Sequence, residues 1–190
     1  MTDTRELYRQ AMEQTGTIVE AVRADQLDLP TPCDEWDVRA LISHIVGVIA
    51  NRVAALGEGS NILELASFAD IGADWVTAYR GAVARSIAAW EDDGKLEAIY
   101  AVPWGKVPGR IALGGFAEEL LMHGWDLAIA TGQPTSGLDP ALAMFALDVT
   151  RKILPSSGRE GLPFDPPVPA PEGADPYVQL AAWLGRTPPA

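Results

Sequence analysis

Apolar residues recur at steps of three and four through most of the chain, the spacing that turns one face of a helix towards a core. Leu7, Ala11, Gln14, Ile18 and Val22 follow this spacing between about Asp3 and Arg23, with charges between them, and predict a first amphipathic helix. The segment DLPTPCDEW interrupts it with two closely spaced prolines. Asp37 is then placed to cap a second helix, Val38 to about Leu56, with Leu41, His44 or Ile45, Val48 and Val53 on its stripe. After GEGSN, a short helical turn is expected around Ile62 to Ala66. A third long helix, carrying Trp75, Tyr79, Val83 and Trp90, is predicted from roughly Phe68 to Glu91. The run LEAIYAVPWGKV, Leu96 to Val107, mixes β-branched and aromatic residues and predicts two short extended segments. A fourth long helix spans about Arg110 to Ala130 and is stopped by TGQP; a fifth runs from roughly Pro140 to Ile153.

From Leu154 the periodicity gives way to a proline-rich stretch, and only Tyr177 to Leu184 again resembles a short helix. No internal repeat is visible. The expected architecture is all-α, a helical bundle of four long helices over residues 1–153. Residues 154–190 form a tail whose short terminal helix packs on the bundle.

Composition narrows the range of partners. With 48% hydrophobic and 21% charged residues in a chain of 190, there is enough apolar material for a core. Fourteen Lys and Arg against 26 Asp and Glu give a net charge of −12, which repels phosphate backbones and anionic lipid surfaces. Neither nucleic acid nor a membrane is therefore expected as a partner. No run approaches about 18 uninterrupted apolar residues, and MTDTRELYRQ lacks the apolar centre of a signal peptide. The one cysteine, Cys33, excludes an intramolecular disulfide and fits a reducing compartment. These features predict a cytoplasmic protein.

Only two histidines occur, and both fall on apolar stripes: His44 among Leu41, Ile45 and Val48, and His123 among Phe116, Leu120 and Leu127. Glu119 precedes His123 by one helical turn, on nearly the same face. Such a pair can reach one ion from a single helix, and a histidine on a facing helix can supply a third ligand. Three ligands leave one position of a tetrahedral Zn²⁺ open, the arrangement of catalytic sites. The same donors suit Fe²⁺ or Ni²⁺. The competing reading is a core histidine and a helix-stabilising Glu119–His123 pair worth about 0.2–0.5 kcal/mol.

Other residues are weighed in the same way. Asp126, three residues after His123, either orients an imidazole or pairs with Arg39 or another base. Arg39, near a helix start, gains nothing from the helix dipole and suits an ion pair or an anion. Cys33 has acidic neighbours, Asp34 and Glu35, and no basic one in sequence, so its thiolate is disfavoured and it reads as filler before the second helix. Trp36 and Trp125 read as core near the site. Gly105 to Gly109 lacks the strand–turn–helix setting of a phosphate loop and reads as a turn.

TPCDEWDVRALISHIVG followed by EELLMHGWDLAIATG resembles the N-terminal domain of the mycothiol-dependent maleylpyruvate isomerases, a branch of the DinB-like metal-binding proteins. The matching features are Thr31, Pro32, Cys33, Trp36, Val38, Arg39, Leu41, His44 and Gly47, then Glu119, His123 to Ala128, Thr131 and Gly132. WGKVPGR and PYVQLAAWLGRTP also resemble short, single-domain members, so the likeness spans nearly the whole chain. The resemblance implies an up-down-up-down four-helix bundle holding a divalent ion, commonly Zn²⁺, through His44, Glu119 and His123. It also implies a low-molecular-weight thiol, mycothiol, as cosubstrate. The isomerases carry a substantial C-terminal domain that contributes to activity, whereas this chain has a tail of about 37 residues, so isomerisation of maleylpyruvate is not expected. The reading is a metal-dependent enzyme of transferase or isomerase type. The alternatives are a metal-activated hydrolase and a non-catalytic, stress-related metal- or small-molecule-binding protein. A homodimer through a helix face suits such bundles.

Overall fold

The computed structural model describes residues 3–33, 36–160 and 164–187 and is mostly helical, with one small two-stranded sheet. The first helix, α1, covers Thr4–Glu20; the Asp3 carboxylate caps it by accepting from the Arg5 amide at 2.9 Å. Helix α2 runs from Val38–Gly57 as one continuous rod, capped by Asp37, which accepts from the Ala40 amide at 2.7 Å. Over Val48–Ala54 this rod widens into a π-helix, a local change that the apolar stripe does not signal.

Helix α3 is Trp75–Ala89, seven residues shorter at its start than the sequence pattern predicts. Asp74 sets the boundary by accepting from the Thr77 amide at 3.0 Å. The residues before it are bound to α2 instead. Ser43 Oγ donates to the Ala69 carbonyl at 2.6 Å, and Asn51 Nδ2 donates to the carbonyls of Ala66 and Phe68. These bonds satisfy the carbonyls of Ala66, Phe68 and Ala69 without a helix.

A helical turn, Gly94–Glu97, leads into the antiparallel hairpin β1 (Ile99–Val102) and β2 (Gly105–Pro108), closed by Val102 opposite Gly105. The segment from Gly105 is therefore the second strand, and the turn lies at Pro103 and Trp104. Helix α4 spans Gly109–Thr131, α5 Pro140–Ile153 and α6 Pro176–Trp183.

Helix α1 packs along α4 and also on α3, while α2 packs on both α3 and α4. Met12, Leu41, Ile45, Phe116, Leu120 and Trp125 fill the space between them. Helices α5 and α6 pack on each other and on α4. The tail is pinned by Arg159, whose guanidinium donates to the carbonyls of Pro155, Asp165 and Trp183. Helix α2 is long and apolar enough to cross a membrane, with a mean hydropathy of 1.6, although no unbroken apolar run in the sequence shows it. Its apolar window is 72% buried inside the protein, as a central core helix requires.

Candidate metal centre

Helices α2 and α4 bring His44, Glu119 and His123 together. One ligand atom from each lies within 4.8 Å of the other two. His44 Nε2 is 3.2 Å from Glu119 Oε1, and the two imidazoles meet edge to face with centroids 5.0 Å apart. Ligands held at about 2.0–2.1 Å by one tetrahedral ion stand roughly 3.3 Å from each other, so this His–Glu pair already has the required spacing. His44 is 7% exposed, and its Nδ1 is buried with no hydrogen-bond partner among the described residues. That is not a satisfied core histidine. The donor set fits a divalent cation, and Glu119, with 28% of its side chain exposed, marks the side open to solvent.

A second group stands behind His123. Asp126 Oδ2 is 3.2 Å from His123 Nδ1, which fixes the ring and leaves Nε2 as its free nitrogen. Asp126 is fully buried and forked by Arg186, whose Nε and Nη2 both donate to it at 2.9 Å. The Cys33 thiol donates to Asp126 Oδ2 at 3.3 Å, and its sulfur lies 3.8 Å from both His123 Nδ1 and Arg186 Nη2.

The electrostatics follow from these contacts. Burial holds the His123 pKa below its usual value, against the pull of Asp126, so the imidazole is neutral at pH 7. Burial would raise the Asp126 carboxyl, but the hydrogen bond from His123 and the Arg186 charge outweigh it and keep the carboxyl low. Cys33 is pushed up to about 12, by burial first and then by Asp126. Glu118, partly buried, is pushed up to about 8 by burial and by the neighbouring Glu119 and Asp126. It stays protonated at neutral pH.

Aromatic rings wall the pair of histidines. Trp36 is 4.5 Å from the His44 ring and 5.7 Å from that of His123, and Phe68 is 5.2 Å from both Trp36 and His44. Two surface clefts lie elsewhere, along the α1–α3 seam around Met12 and Ile87.

The family model of the mycothiol maleylpyruvate isomerase N-terminal domain matches residues 8–128. The chain belongs to this family. Two uncharacterized proteins from two strains of Mycobacterium tuberculosis are 37% identical to it over 181 residues, covering 95% of this chain and 96% of theirs. No solved structure matches the chain. The region matched by the isomerase N-terminal domain contains Cys33, Trp36, His44, Glu119, His123 and Asp126, and stops short of Arg186.

Sequence reasoning anticipated that His44, Glu119 and His123 face one another, and it left Asp126 between two roles. The structure gives Asp126 both, since it contacts His123 and pairs with a base at once. That base is Arg186, not Arg39, which is exposed and forms no ion pair among the described residues. Cys33 has a basic neighbour after all, brought from the far end of the chain, and its own raised pKa comes from burial and Asp126. Asp34 and Glu35, invoked for it in sequence, lie outside the described residues. Trp125 is core, 2% exposed. Arg186 and Phe68 were missed. Both reach the site through contacts far apart in sequence, and only the arginine in the C-terminal LGRTP run offered a signal.

Proposed function

We propose that this chain is a DinB-like four-helix bundle, with α1 to α4 running up-down-up-down, that binds one divalent ion, most favourably Zn²⁺, through His44, Glu119 and His123. We propose further that it is a cytoplasmic, mycothiol-dependent enzyme of transferase or isomerase type. The observation that carries the reading is the convergence of two imidazoles and a carboxylate from two helices, one imidazole already oriented by a buried aspartate. Membership of the isomerase N-terminal domain family supports the thiol assignment. When bound, a divalent ion supplies the positive charge that keeps a substrate thiol deprotonated near neutral pH.

The chain's own residues supply the rest. His123 is neutral and held by Asp126, so its Nε2 lone pair needs no deprotonation before it binds. Trp36 and Phe68 shield the imidazoles from water on one side, and the partly exposed Glu119 leaves the other side accessible. Glu118, next to Glu119 in the helix, keeps its carboxyl protonated at neutral pH. Helix faces outside the site leave room for a homodimer.

Elemental analysis of the purified protein tests the metal, with about one equivalent expected and loss of it in His123→Ala. An unchanged metal content in that variant refutes the site. Calorimetric titration with mycothiol tests the cosubstrate: binding is expected to saturate and to vanish in chelator-treated protein, and equal binding to both forms defeats the thiol reading.

A further inference from the structure

His123 belongs to two groups of potential metal ligands at once. Besides His44 and Glu119, it stands with Cys33 and Asp126, again with one ligand atom from each within 4.8 Å of the others. Asp126 and Cys33 face Nδ1, at 3.2 and 3.8 Å, which leaves Nε2 as the free nitrogen. A thiolate, an imidazole and a carboxylate form a competent donor set for zinc, so geometry alone does not direct an ion to one side of the ring.

Arg186 separates the two settings. Its Nε donates to Asp126 Oδ1 and its Nη2 to Oδ2, both at 2.9 Å, and Nη2 also reaches Cys33 Sγ at 3.8 Å. A permanent positive charge is thus planted where a cation bound by Cys33 and Asp126 would sit. The backbone aims it there. Helix α6 ends in a turn in which Gly185 takes a φ of +86°, and the Arg186 amide bonds back to the Ala181 carbonyl at 2.9 Å. A Cβ at Gly185 would lie 2.5 Å from Asp165 Cβ, so this close turn requires glycine.

We infer that Arg186 is a positioning residue that decides which nitrogen of His123 a metal meets. As a built-in cation it occupies Asp126 and Cys33, keeps the carboxylate on Nδ1, and confines the ion to Nε2 with His44 and Glu119. The inference rests on the metal site proposed above and makes the C-terminal segment part of that site. Without Arg186, the buried Asp126 carboxylate lacks its cation and recruits a metal in its place.

Cobalt(II) titration of the full chain, followed by absorption, tests this, because a cysteine thiolate bound to Co²⁺ gives a near-ultraviolet charge-transfer band that histidine and carboxylate ligands do not. The wild type is expected to take up one equivalent, with visible ligand-field bands and no thiolate band. Arg186→Gln is expected to bind about 10–100-fold more weakly at the original site. It also gains the thiolate band, which the added change Cys33→Ser removes. Arg186→Lys retains the charge and lacks the band. A thiolate band in the wild type or in Arg186→Lys overturns the inference. So does an Arg186→Gln variant of normal helix content with wild-type affinity and spectrum. If Arg186→Gln does not fold, the wild type and Arg186→Lys decide it by the same band. Failure of the wild type to bind Co²⁺ at all is a different result, which removes the metal site itself.

Discussion

Gly47 and Ser67 meet backbone to backbone: a Cβ on Gly47 would lie 2.4 Å from the Ser67 carbonyl oxygen and 2.8 Å from the carbonyl carbon of Phe68. Three residues along α2 from His44, this contact lets the segment 66–69 lie flat on the helix and sets the Phe68 ring against the imidazole. Gly47→Ala must push that segment outward. The expected cost is about 1–3 kcal/mol, read as a lower denaturant midpoint with an unchanged m-value. A variant as stable as the wild type would show that the segment does not bear on the helix.

Metal and folding are linked. An ion that binds only the folded chain adds about 2.7 kcal/mol at a free concentration 100-fold above its Kd, and thermal unfolding should shift upward by several degrees when Zn²⁺ is added to stripped protein. His44→Ala, Glu119→Gln and His123→Ala should each abolish the shift. Persistence of the full shift in any of the three would exclude that residue as a ligand.

Glu118 predicts an unusual pH dependence in the metal-free protein. The folded carboxyl keeps its proton up to about 8, whereas the unfolded one releases it near pH 4.3. The folded state therefore binds more protons across this interval, and Glu118 lowers stability as pH rises from roughly 4.3 to about 8. Glu118→Gln removes the penalty. Its unfolding free energy should match the wild type at acid pH and exceed it above pH 8, by an amount on the order of 1–2 kcal/mol. A difference independent of pH would refute the assignment.

Cys33 is expected to be inert. With its pKa pushed up to about 12 by burial and by Asp126, the thiol should react with iodoacetamide at pH 8 at least roughly 100-fold more slowly than in the urea-unfolded chain. Equal rates would mean that the thiol is not enclosed by Asp126 and Arg186 as the structure shows.

Helix periodicity made much of this arrangement legible. Asp37, the stripe around His44, the Glu119–His123 spacing and the stop after Thr131 are local signals, and each has a physical cause acting within one or two turns. The start of α3 was not legible, because Phe68 to Asp74 fits a helical pattern as well as its actual role, and the bonds from Ser43 and Asn51 that claim its backbone come from another helix. The Arg186–Asp126 pair spans 60 residues and the Cys33–Asp126 contact 93. Contacts at that range carry no periodicity, and a single arginine in a tail does not announce where it is bound.

The π-helical stretch of α2 acts as a gear between two registers. Each residue of a helix advances the chain by about 100°, so a widened turn over Val48–Ala54 rotates all that follows relative to His44. Asn51, which grips the carbonyls of Ala66 and Phe68, lies inside that stretch. The aromatic lid beside the imidazole is therefore timed by the girth of the helix under it, and deleting Ile49 or Ala50 would turn the grip away while leaving His44 where it is.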